Sequence, residues 1–172
     1  MASINDMIQQ LETLRTRIDT VPEVVEWMVH DHRDEILSLN KDQMLLGRNV
    51  KGELLGPDYL NDPYFETPEE AETYARMKYV LEGTHKARIE HALNYPDKPR
   101  NTPNLIVTGP FQDSMYVSTD SEGFTIGSDY EEAGAIETKY DRLVFGLAPL
   151  SKEYFYETYL IRAIRKHLHF ER

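Results

Sequence analysis

Between Asn94 and Pro103 the chain reads NYPDKPRNTP, three prolines in ten residues. Proline has no amide donor and a fixed φ, so this stretch forms neither a helix nor a central strand. The 94–103 segment is therefore a connection, with helical patterns before it and a small sheet and a last helix after it.

Before it, the period is helical. Ile4, Met7, Ile8, Leu11, Leu14 and Ile18 recur at the spacing of an amphipathic helix. Thr20-Val21-Pro22-Glu23 reads as a capping box with an early proline, the start of a second helix. Val24, Val25, Met28, Val29, Ile36 and Leu37 give that helix an apolar face, and Gly47 is expected to end it. Thr67-Pro68-Glu69-Glu70 is the strongest local signal. Thr67 caps, Pro68 pre-sets the first turn, and Glu70 reaches back to the cap. The third helix is predicted to run to about His91, with Tyr74, Met77, Val80 and Leu81 on one side. The 48–67 segment between the second and third helices holds Gly52, Gly56-Pro57 and Asp62-Pro63, and is expected to protrude as a loop. Its Tyr59, Tyr64 and Phe65 need cover, from the body or from a neighbour.

After the prolines, the period shortens. Leu105-Ile106-Val107 reads as a short strand or an apolar lead-in, broken by Gly109-Pro110. Phe111 to Met115 suits one helical turn, and Phe111 is expected to point inward. Met115 to Thr119 alternates as a half-buried strand does; Asp120 to Gly123 is a turn and Phe124-Thr125-Ile126 the returning strand. Glu131 to Lys139 crosses over, and Leu143-Val144-Phe145 is a third apolar run. Ser151 starts a last helix with Tyr156, Leu160, Ile161, Ile164 and Leu168 as its buried stripe. Arg162, Arg165, Lys166 and Arg172 suit its C-terminal dipole. The fold class is α+β, a single domain over 1–172. N-terminal helices precede a small antiparallel sheet with a hairpin, and a C-terminal helix packs on it.

The formal net charge of −11 argues against a surface that grips a nucleic-acid backbone. No apolar run approaches the length of a membrane span, and the first residues lack the pattern of a secretory signal. The absence of Cys removes thiolate metal sites and Cys nucleophiles. Gly109, Gly123 and Gly127 match no phosphate-loop pattern, and Ser114 lacks the nucleophile-elbow context. His30-Asp31-His32 and His167-Leu168-His169 lie in predicted helices, where residues two apart diverge. A metal-dependent hydrolase built on His30, His32 and nearby carboxylates is the enzymatic alternative. It requires those side chains to converge. The eleven Tyr residues instead suit surfaces that become buried on assembly.

Four blocks carry a family resemblance: Leu39-Asn40-Lys41-Asp42-Gln43-Met44-Leu45-Leu46-Gly47; Tyr74-Ala75-Arg76-Met77-Lys78; Leu105 through Thr108-Gly109-Pro110-Phe111 to Ser114-Met115-Tyr116-Val117; and Lys139-Tyr140-Asp141-Arg142-Leu143-Val144-Phe145-Gly146-Leu147. From Leu39 onward the chain resembles small neck and tail-completion proteins of tailed phages, especially those of Bacteroidetes and crAss-like phages. Asp141 stands where that family's block usually has Gly, so a different turn is expected there. The resemblance implies a non-enzymatic, head–tail connector protein without cofactor or metal, made in the host cytoplasm and found in the virion. Its implied partners are a homo-oligomeric ring of its own copies and other phage structural proteins: portal, adaptor, tail tube or terminator. No specific nucleic acid and no membrane is implied. The expected interface residues are Tyr59, Tyr64, Phe65 and Tyr140.

Overall fold

A computed structural model describes residues 3–85, 88–91, 93–120 and 123–169. The chain is mixed helix and sheet, in the predicted order. Helix α1 (Ile4–Asp19), α2 (Val21–Asp31) and α3 (Arg33–Leu45) follow one another with single-residue breaks. Helix α4 (Pro68–His85) precedes the proline stretch. A one-turn helix α5 (Pro110–Asp113) leads into strands β1 (Met115–Asp120) and β2 (Gly123–Ser128). Helix α6 (Ala133–Lys139), α7 (Pro149–Phe155), a five-residue π segment (Tyr156–Leu160) and α8 (Ile161–Leu168) complete the chain.

The hairpin is antiparallel, with Met115 opposite Ser128 and Asp120 opposite Gly123. Its expected turn includes 121–122, which lie outside the described residues, as does Arg172 at the end of the last helix. Helices α2 and α3 pack against β1. The core joins Val29, Ile36, Leu39 and Met44 of those helices to Met115 and Ile126 of the hairpin, and to Val144, Leu147 and Phe155. Phe155 brings the C-terminal helix into the same core as the sheet.

Several expectations are corrected. The second helix, read as continuous to Gly47, breaks at His32, although backbone bonds from His32 N to Met28 O and from Ile36 N to His32 O run across the bend. His32 leans on Tyr159, ring centroids 4.4 Å apart, and that contact from the far end of the chain fixes the bend. Thr20 makes no capping box: its hydroxyl bonds back to Thr16 O and Arg17 O and meets His167 Nε2 at 2.9 Å. The Thr67 box does form, with Glu70 N on Thr67 Oγ1 and Thr67 N on Glu70 Oε2. Helix α4 is described to His85, residues 86–87 lie outside the described residues, and His91, expected near the helix end, lies outside any helix. Of the two readings for Leu105–Val107, the apolar lead-in holds and the strand does not form. The last helix buries Ser151 and Phe155, while Tyr156 and Ile161, expected inside, are exposed. The π segment, Tyr156–Leu160, lies between Phe155 and Ile161, and its extra residue rotates Ile161 and everything after it.

The 48–67 segment does not protrude. Leu55, Tyr59 and Asp62 are buried, and Leu55 N bonds Gly47 O while Tyr59 N bonds Asn101 O. Asp141 and Arg142 take left-handed φ of 53° and 58°. Asp141 thus adopts the backbone region that Gly favours, which a short polar side chain tolerates.

Candidate functional site

The expected interface residues converge on one place. Tyr59, Tyr64, Phe65 and Tyr140 all line an open cavity of about 390 Å3, between the 48–67 segment, α4, the 103–112 stretch and α6. Each wall has a local cause. Asp58 Oδ1 accepts from Leu60 N and Asn61 N, and Asp62 Oδ1 from Tyr64 N; these successive Asx turns fold the segment back on α4. The turn sets Tyr59 and Phe65 on either side of Tyr74, at 5.3 and 5.2 Å between centroids. Gly109, at φ +111°, reverses the chain so that Pro110 starts α5 and Phe111 turns inward, buried against Phe145 and Tyr130. Phe111 is thus placed as its sequence context predicts.

The four named aromatics divide into two kinds. Tyr59 and Tyr140 are buried in the chain's own interior, so neither offers a free surface to another protein. Tyr59 donates its hydroxyl to Asn104 Oδ1 and accepts from Asn104 N, which pins the 103–106 stretch. Burial pushes both hydroxyls well above the ordinary tyrosine pKa. Tyr64 is 79% exposed at the mouth, with Phe65 half-buried beside it. The correction has a simple cause: an aromatic in a long segment satisfies its need for cover inside its own chain before any neighbour arrives.

Four polar side chains stand among these rings. Asp62 and Lys139 form an ion pair at the rim, and the Lys139 ammonium also lies 5.8 Å from the ring centres of Tyr64 and Tyr140. Lys78, on α4, is buried and donates to Ile106 O, with its ammonium 5.9 Å from the Tyr59 ring. Burial, together with repulsion from Lys98, lowers its pKa to about 8. Gln112 Nε2 donates to Leu105 O at 2.6 Å, which leaves Gln112 Oε1 buried without a partner among the described residues. Sequence reading passed over Asp62, Lys78, Gln112 and Lys139 as site residues. Their only local signal was the Tyr74–Lys78 spacing of one helical turn.

The two His-x-His pairs build no metal centre. His30 is exposed, while His32 packs on Tyr159. His167 caps the end of α1 through Thr20 and Arg17 O, and His169 is exposed. Among the described residues, no group of three His, Asp or Glu side chains is placed to share an ion. Among the described residues, the histidine held between carboxylates is His91. Its Nδ1 meets Asp42 Oδ2 at 2.8 Å and its Nε2 meets Glu35 Oε1 at 3.0 Å, while Tyr159 also donates to Glu35. Asp42 further accepts from the Glu90 and His91 amides. This cluster fastens the 88–91 strap to α3. Among the described residues no helix is long and apolar enough to cross a membrane. No family model, curated protein or solved structure matches the chain.

Proposed function

We propose that this chain is a structural virion protein of the phage neck or tail-completion ring, joining head to tail through protein–protein contacts. The observation that carries the reading is the aromatic cavity, with Tyr64 and Phe65 at an open mouth and beside them the partly exposed Lys139, paired to the buried Asp62. Rings of this kind supply large apolar contact area at little conformational cost, which is how the anchored centres of protein interfaces are built. The occupant that suits it is an apolar or aromatic side chain from a neighbouring virion protein, seated beside Tyr64 and edged by Lys139. The acidic composition fits a component that lies near packaged DNA without adhering to it.

The test is direct. Particles purified from cells that express the chain from its own locus should contain it in fixed stoichiometry, and electron microscopy should place it at the head–tail junction. Tyr64→Ala should lower its incorporation while leaving its melting temperature unchanged, because the side chain is exposed. Particles that form, attach and infect without the chain would overturn the reading.

A further inference from the structure

In a chain of formal net charge −11, helix α8 carries three cations and no acid. It packs on α1 and α2, with Ile164, His167 and Leu168 half-buried. Arg162, Arg165 and Lys166 stand on the other side at the three-and-four spacing of one helix face. All three are exposed, and none joins an ion pair among the described residues. Ile161, 38% exposed, opens the same face. A matching surface lies on α4. The rings of Tyr64, Phe65 and Tyr74 line, besides the cavity, an open groove along that helix, extended by Met77 and edged by Glu66 and Glu69. Met77 is exposed there, and Glu66 and Glu69 are exposed without an ion pair among the described residues. Glu70, also in the groove, is committed to the Thr67 cap. One surface is thus cationic with an apolar corner, and the other is apolar with an anionic rim.

We infer that the exposed face of α8 in one copy of this chain seats in the α4 groove of the next copy. Charge complementarity carries the choice of occupant: the cations of α8 meet no acid in their own chain, and Glu66 and Glu69 meet no cation in theirs. Helix α8 cannot fill the groove of its own copy, because His167 fastens it to α1 through Thr20 and Arg17 O. The rings suit the same occupant. A guanidinium stacks well on a tyrosine face, as Arg100 already does 3.9 Å from the Tyr79 ring centre, and Tyr64 offers an open face beside the two carboxylates. Ile161 supplies the apolar contact for Met77. The excess of acid over the rest of the chain steers the basic face toward a neighbour before contact. Because the two surfaces are different patches of one molecule, the contact runs head to tail, and its repetition builds a ring or a filament. This deepens the assembly reading, rests on it for the premise that copies of the chain meet, and names the surfaces by which they do.

Sedimentation of the full chain from about 1 to about 100 μM in low salt should show reversible oligomers larger than a dimer, which dissociate as salt is raised to about 0.5 M. Two variants separate the halves of the contact: Glu66→Lys with Glu69→Lys in the groove, and Arg162→Glu with Arg165→Glu on α8. Each alone should weaken association by at least about a hundredfold, since like charges then face each other. All four side chains are exposed, so both variants should keep a cooperative melt. Mixing the two variants should restore the oligomers, because every α8 then meets a groove of opposite charge, and a chain carrying all four reversals should associate by itself. Restoration is a result that a damaged fold cannot produce. A wild type that stays monomeric, an assembly that stops at a dimer, or variants that the mixture fails to rescue would overturn the inference. So would duplex DNA binding that the α8 reversals abolish while self-association stands, which would assign those cations to nucleic acid. Particle incorporation decides the virion reading separately: oligomers that form in solution by a chain missing from particles would keep this contact and remove the neck assignment.

Discussion

At the scale of single residues, Lys78 shows what the cavity asks of its lining. A buried ammonium is held against its solvation preference, so its pKa falls from the ordinary 10.5 to about 8. The sign follows from proton counting. Between pH 8 and 10.5 the unfolded chain binds a proton at this lysine that the folded chain has released, so stability rises with pH across that window. Lys78→Met removes the effect and leaves Ile106 O without its donor. Denaturant melts of the two proteins should therefore show wild type gaining on the variant from pH 8 to 10.5, by up to about 3 kcal/mol. A difference that stays constant over that range would exclude a depressed lysine. Phe111 is the apolar counterpart. It is buried between Tyr130 and Phe145, so Phe111→Ala should cost about 3–5 kcal/mol and lower the melting temperature strongly. An unchanged melt would place the ring outside the core.

At the scale of elements, what was legible in the sequence is what short-range chemistry decides. The Thr67–Glu70 box, the hairpin from Met115 to Ser128 and the single turn after Gly109-Pro110 each follow from neighbours within a few residues. The bend at His32 did not, because Tyr159 fixes it, and the cavity did not, because its Asp62–Lys139 pair joins residues 77 apart. Helix α3 shows why its polar residues misled a reading by amphipathic pattern. Asn40 and Gln43 are fully buried, yet they are clamps: Asn40 Nδ2 donates to Val144 O and Gly146 O, and Gln43 Nε2 to Gly146 O. Gln43 Oε1 accepts from Ala148 N and Ser151 Oγ. They hold the 143–148 stretch that no sheet pairs. Gln43→Ala strands the Ala148 amide, while Gly146 O keeps its bond from Asn40, and should destabilise by about 1–3 kcal/mol, measurable by urea melts. At the end of the same helix, Gly47 has φ +67°, and a Cβ there would lie 2.8 Å from Lys98 and Thr102 side-chain carbons and 2.9 Å from Pro103 O. Gly47→Ala should accordingly lower the melting temperature and loosen the proline stretch, seen as faster proteolysis near Lys98 and Arg100.

At the scale of the whole molecule, a dense body built on α3, the hairpin and the 143–155 chain carries a sparsely packed arm of α1, the first half of α2 and α8. Trp27 is 59% exposed on that arm, and α8 buries no residue. The two parts meet through the C-terminal helix, and the π segment sits at the junction. One added residue in a helix advances the angular phase of everything beyond it by about 100°. The body grips Ser151 and Phe155 upstream; Leu168 and His167 meet α1 downstream. The segment is thus a fixed dial between two gears. Removing one residue from 156–160 would leave the helix as long and as helical as before, but turn His167 away from Thr20 and swing α1 to a new heading. Geometry that no side chain encodes by itself is stored in a count of residues.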